Sequence, residues 1–210
     1  RDRLVQMGYM FRYNSGFDLV RRAVREGWLG AVYAIHASMC TNLNAEKRKL
    51  VSWHPGGIML ELGCHLIDMV HLLLGPPSKV TSFLRHDGVT ADGLIDNALA
   101  VLEYDRATAV IETAAMEMDA FPARRFKICG VDGTIILEPL EPPAARLCLR
   151  RSVGQFKPGW QTASLEDFPR HVRDFEDLAR CIRGEAPFSY SREHDLSVQK
   201  TVLQASTPRA

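Results

Sequence analysis

Residues 57–74 form an apolar, helix-like run that is interrupted by Glu61, His65 and Asp68, with His71 continuing the series. Spacings of four and three put these groups on one stripe of a helix. Apolar residues fill nearly all of the remaining circumference, which is the pattern of an element buried on most sides. Carboxylates and imidazoles in such surroundings cost on the order of several kcal/mol unless they are paired or face a cavity. Three readings meet that requirement. In a structural one, Asp68 accepts hydrogen bonds from a neighbouring loop and His65 is a satisfied core histidine. In a catalytic one, the groups face a pocket, and Gly56-Gly57 brings a loop backbone close to it. In the third, Glu and His at this spacing share a metal ion; it ranks last, because no second His/Cys/Asp cluster announces itself elsewhere in the sequence.

The elements that must position this helix follow from periodicity and punctuation. Residues 4–11 read as a strand, and Asn14-Ser15-Gly16 as the entry to an amphipathic helix ended by Gly27 and Gly30. A strand follows over residues 31–41, then a polar loop over 42–55 that closes with Trp53-His54-Pro55. The helix carrying the stripe is stopped by Gly75-Pro76-Pro77. Strands are expected at 80–85, 94–104, 108–118, 125–129 and 134–137, and the short Tyr104-Asp105-Arg106-Ala107 connection makes an antiparallel hairpin of the second and third. Residues 138–143 and 154–160 read as loops around one more strand at 146–151. Two helices close the chain. One, at 167–182, gathers Phe168, Val172, Phe175, Leu178, Ala179 and Ile182 on one side; the other, at 192–205, is capped by Ser191.

The fold class expected is α+β: a large, mixed but predominantly antiparallel open-faced sheet with helices on one face. The middle strands are apolar on both sides, in Ala98-Leu99-Ala100-Val101-Leu102 and Ala109-Val110-Ile111, so the face without helices should be covered by a second copy of the chain.

Lys plus Arg at 26 against Asp plus Glu at 25 leaves a net charge of +1, too little to attract nucleic acid or an anionic membrane nonspecifically. No apolar run approaches membrane-spanning length. Five scattered cysteines without a CxxC pair argue against a disulfide framework and favour a reducing, cytoplasmic location.

An ordered set of motifs runs along almost the whole chain: Arg12-Tyr13-Asn14, Gly27-Trp28-Leu29-Gly30, Gly56-Gly57, His65-Leu66-Ile67-Asp68, Leu74-Gly75-Pro76, Asp96-Asn97-Ala98 and Gly130-Val131-Asp132-Gly133-Thr134. In that order they resemble the C-terminal domain of the Gfo/Idh/MocA superfamily, the glucose-fructose oxidoreductases and inositol dehydrogenases. The resemblance implies that residues 1–210 are a substrate-binding and oligomerisation domain, separated from an N-terminal Rossmann domain whose Gly-rich loop and Glu-Lys-Pro motif do not occur here. It further implies a sugar or polyol substrate, and NAD or NADP in the full-length parent with none expected on this piece alone.

In that family a histidine serves as general acid/base with an aspartate four residues before it. His65 matches the histidine, and Glu61 stands where the aspartate usually is, keeping the charge while lengthening the reach. Oxidising a secondary alcohol needs a base for the hydroxyl proton while hydride leaves for nicotinamide, and an imidazole can serve in both directions. Asp68 then supports the site from below, and Arg12, Tyr13, Trp53 and His54 are further pocket candidates, with a strand-end anchor the equal alternative for Arg12 and Tyr13. Two other functions stay open: a NAD-dependent glycoside-cleaving enzyme on the same fold, and a non-catalytic assembly or ligand-binding module.

Overall fold

The computed structural model describes residues 4–167 and 169–207. Eight strands, β1 (Val32–Ser38), β2 (Lys79–Arg85), β3 (Asn97–Glu103), β4 (Thr108–Ala114), β5 (Arg125–Gly130), β6 (Gly133–Leu140), β7 (Pro143–Leu149) and β8 (Gly159–Ala163), make one sheet in the order β2-β3-β4-β1-β5-β6-β7-β8. Each neighbouring pair is antiparallel except β1 with β4, where Ile35 lies beside Ala109 and Ala37 beside Ile111. The sheet is therefore mixed and mostly antiparallel, and the fold is α+β.

Helices α1 (Ser15–Arg25), α3 (Cys64–Leu74) and α5 (Arg192–Ser206) pack on one sheet face. Burial alternates strictly along β3 and β4: Ala98, Ala100, Leu102, Ala109 and Ile111 meet the helices, among them Phe17, Val20, Leu66, Ile67, Val70, Val198 and Val202. Residues of the opposite parity turn to the other face. Phe83, Leu99, Val101 and Val110 lie there, with Thr81 beside Val101 and Glu112 beside Leu99, while His36 and Lys127 mark a more polar half.

Two caps expected from sequence fix helix starts. The Asn14 carboxamide oxygen accepts from the Gly16 and Phe17 amides at 2.8 and 3.3 Å, and Ser191 Oγ accepts from His194 N at 3.1 Å.

Several segments differ from their sequence reading. Residues 4–9 form no strand, and Met10–Tyr13 is a 3-10 turn closed by Arg12 N to Tyr9 O at 3.1 Å. Its apolar side chains are buried by packing, not by strand pairing. The loop at 42–55 contains α2 (Ala45–Val51), started by Asn44, whose side chain accepts from Lys47 N at 2.9 Å. The proline-rich stretch is a tight β6–β7 turn, with Leu140 paired to Pro143, and the expected loop at 154–160 runs into β8.

The apolar side of α4 (Val172–Ile182) does not face the core. Val172, Phe175 and Ile182 are exposed, and the residue that helix buries is Asp177, which accepts from Tyr13 Oη at 2.7 Å and Ser189 Oγ at 2.8 Å. Phe168 lies outside the described residues.

Candidate functional site

The helix bearing the ionisable stripe begins with a π-turn, Met59–Gly63, before α3 continues in regular α geometry. A π-turn takes an extra residue per hydrogen-bonded loop, so it offsets Glu61 from the plain four-residue register with His65. Its start is held by a loop. Ile58 N donates to Ile95 O at 2.9 Å, and Gly57 adopts φ +50°, where a Cβ would also collide with that carbonyl oxygen.

The loop is pinned in turn to α2. The Arg48 guanidinium spans Asp92 at 2.6 and 3.0 Å and reaches Asp96 at 2.8 Å. Fully buried Asp96 takes two more hydrogen bonds, from the Asp87 and Gly88 amides.

Along the stripe exposure falls from Glu61, which is exposed, through partly buried His65 to Asp68 at 0%. Glu61 opens onto a cleft of about 410 Å³ lined also by Thr41, Lys47, Val51, His54 and Ile58. Glu61 and His54, both expected from sequence, therefore share one wall. Trp53, next to His54 and 81% exposed, is not among the residues lining that cleft.

His65 packs edge-on against the rings of Tyr9 and Phe11, with centroids 6.0 and 5.9 Å away, and its Nδ1 is buried without a hydrogen-bond partner. Burial, more than any other cause, pushes the imidazole down from 6.5 to about 4; Asp68 opposes the shift, and Arg170, Arg124 and His171 add to it. His65 is thus neutral at neutral pH.

Asp68 is bound up in a buried network. It receives Arg12 Nε and Nη2 at 2.9 and 2.7 Å and lies 3.1 Å from His194 Nε2. Arg12, 3% exposed, also reaches Asp195 at 2.5 Å and is sandwiched between the Tyr9 and Tyr190 rings at 4.8 and 4.3 Å. His71 Nε2 lies 2.9 Å from Thr201 Oγ1. Arg12, Asp68 and Tyr13 therefore face partners within the chain, the geometry of anchors, and Arg12 stands on the 3-10 turn instead of a strand end. Among the described residues, no group of three or more His, Cys, Asp and Glu side chains could hold a metal ion.

A sequence model of the GFO/IDH/MocA C-terminal domain matches residues 17–136, more than half of the chain. The chain belongs to the GFO/IDH/MocA family. Among its relatives, D-xylose 1-dehydrogenase (NADP(+)) 2 of Haloferax volcanii is 26% identical over 202 residues, covering 92% of this chain and 58% of that protein. The dTDP-3,4-didehydro-2,6-dideoxy-alpha-D-glucose 3-reductase of Streptomyces violaceoruber is 27% identical over 65% of the chain and 40% of its own length.

Two solved structures share the fold. The aldose-aldose oxidoreductase of Caulobacter crescentus aligns with a TM-score of 0.77 at 18% identity, over 97% of this chain and 62% of that one. The UDP-N-acetylglucosamine 3-dehydrogenase of Acidithiobacillus ferrooxidans aligns at 0.76 and 18%, over 97% and 60%. The chain thus spans roughly three-fifths or less of these GFO/IDH/MocA relatives.

The glycine pair Gly130 and Gly133 does not fit a nicotinamide dinucleotide. It closes the β5–β6 hairpin, and Gly130 is packed tightly on the Leu29 carbonyl, whereas a pyrophosphate loop must open onto a helix N-terminus.

What the sequence did not disclose is the company His65 keeps. Tyr9, Arg124, Arg170 and His171 come from a coil, a turn and the approach to α4, and no local spacing ties them to the stripe.

Proposed function

We propose that this chain is the substrate-binding and self-association domain of a NAD(P)-dependent oxidoreductase that acts on the CH–OH group of a sugar or polyol. His65 takes and returns the hydroxyl proton, and Glu61 positions the hydroxyl from the neighbouring cleft. The observation that carries this reading is the buried, unpartnered Nδ1 of His65, since the other buried groups of the stripe, Asp68 and His71, already have partners. Support of a different kind comes from the relatives, whose names are those of sugar dehydrogenases and reductases. The cofactor belongs, in this reading, to a dinucleotide-binding domain of the parent protein outside these 210 residues. All five cysteines are free, which favours a cytoplasmic setting.

The test is His65→Asn in the intact enzyme. Turnover should fall on the order of a hundredfold or more while folding and cofactor affinity persist. Glu61→Gln should lose less, or raise KM, as expected of a positioning carboxylate. Full turnover of a well-folded His65→Asn enzyme would sink the assignment, and a matching loss of thermal stability instead would return His65 to core support.

A further inference from the structure

Two elements line the cleft onto which Glu61 opens, and one connection holds both. Helix α2 supplies Lys47, Val51 and, just past its end, His54; the π-turn supplies Glu61 and Leu62. A helix of seven residues is too short to keep its place by its own backbone hydrogen bonds. Arg48 and Val51 are the side chains that α2 buries, so a guanidinium and a single apolar group fasten it to the molecule. The π-turn has no side-chain cap, and the amide of Ile58 just before it is satisfied by the Ile95 carbonyl.

Both fastenings end in the β2–β3 connection, residues 86–96. Arg48 grips Asp92 and Asp96 there, and Ile95, which takes the Ile58 amide, immediately precedes Asp96. Asp96 is tied to the sheet itself: its amide donates to Arg85 O at 3.0 Å, and its carbonyl accepts from Ala115 N at 2.8 Å. His86 Nδ1, 2.7 Å from Leu94 O, draws the two ends of the connection together. Asp92 accepts from the Leu94 amide at 3.1 Å, so this partner of Arg48 is braced from within.

We propose that the 86–96 connection is a staple between the two elements of the cleft, in which Arg48, Asp92 and Asp96 are positioning residues. They hold α2 and the π-turn to the same end of the sheet and so fix where Glu61 stands relative to Lys47 and His54. A guanidinium suits this task, because its planar fork reaches both carboxylates through three charge-assisted bonds in fixed directions, where an ammonium is only a point charge. Taking Arg48 and Asp96 out of water is costly unless that geometry is kept, so displacements of α2 are resisted. The cleft is therefore set in advance, and a ligand must fit the gap it finds instead of drawing the two elements onto itself. The bearing of this on catalysis rests on the reading of Glu61 as the carboxylate that positions the hydroxyl. The coupling of the two elements does not.

The 210-residue chain tests this by NMR without any ligand. Arg48→Lys and Asp92→Asn each weaken the staple at α2, and the reporters lie at its other end: the Glu61 carboxyl carbon resonance and the hydrogen-exchange rate of the Ile58 amide. Asp92 is 16% exposed, and Asp92→Asn leaves the Arg48–Asp96 pair in place, which keeps the test decisive should Arg48→Lys fail to fold. Asn44→Ala removes the cap of α2 and leaves the connection whole, so it controls for effects that travel along residues 52–57. Both staple variants should move the Glu61 resonance and speed Ile58 exchange on the order of tenfold or more, with Asn44→Ala close to the parent. In the opposite direction, Gly57→Ala should shift the Arg48 Nε–H resonance. An Ile58 amide as protected in Asp92→Asn as in the parent, an equal response to Asn44→Ala, or an Arg48 resonance unmoved by Gly57→Ala overturns the proposal. The oxidoreductase reading fails separately, through an active His65→Asn enzyme, an outcome that leaves the coupling standing.

Discussion

Two imidazoles on one helix have been moved in the same direction for the same main reason. His71, 5% exposed and beside Thr201, is pushed down by burial to about 4, with His194 adding to the shift and Asp68 opposing it; His65 falls to a similar value. In the unfolded chain both return to about 6.5. Between those values the unfolded state binds the protons first, so acid draws the equilibrium towards it. Stability should be level above about pH 6.5, decline as pH falls towards about 4, and be fully reduced by that amount below it, each histidine contributing up to about 3 kcal/mol. Thermal melts across this range check the slope. His71→Gln should remove roughly half of it, and a melting temperature flat from pH 7 to 4 would contradict the burial of both rings.

At the scale of elements, the π-turn depends on a loop that touches it through backbone. Gly57→Ala brings a methyl group against the Ile95 carbonyl at a positive φ, and should cost about 2 kcal/mol or more, read as a lower urea midpoint at unchanged m. A midpoint within error of the parent would mean that the loop gives way freely.

How far the elements were legible depended on where their information lay. The β3–β4 hairpin could be read from its short connection, and the starts of α1 and α5 from Asn14 and Ser191, because caps and turns are local. Glu61 and His65 stood out as ionisable groups on an apolar helix. The inverted α4 did not, because its burial is decided by the hydrogen bonds of Asp177 to Tyr13 and Ser189 and not by its apolar stripe. Nor did the Arg12–Asp68 pair, whose members are joined only by tertiary packing.

For the whole molecule, the open sheet face sets the expectation of self-association. Phe83, Leu99, Val101 and Val110 adjoin one another there in register, with Phe83 exposed, the other three part-buried, and Glu112 beside Leu99. Light scattering at micromolar concentration should report a dimer or larger assembly. Val101→Lys, in the middle of that area, should shift it to monomer with little change in the fold's own stability. A parent chain that is monomeric at that concentration removes the proposal.

The sheet order also dictates a sequence of events in time. β1 is central, yet both strands it pairs with, β4 and β5, arrive far downstream in the chain. The β2–β3–β4 meander and the β5–β6–β7–β8 meander can each assemble from neighbours, whereas β1 must wait for both and then join them as a seam. A truncation such as Ile35→Ala, in the buried centre of that strand, should therefore speed unfolding far more than it slows folding, giving a low φ-value, while comparable losses inside either meander should slow folding. During synthesis, the same arrangement leaves β1 without its first partner strand, β4, until residue 114 of 210 has been made and without its second, β5, until residue 130, so its buried apolar face stays uncovered over that stretch.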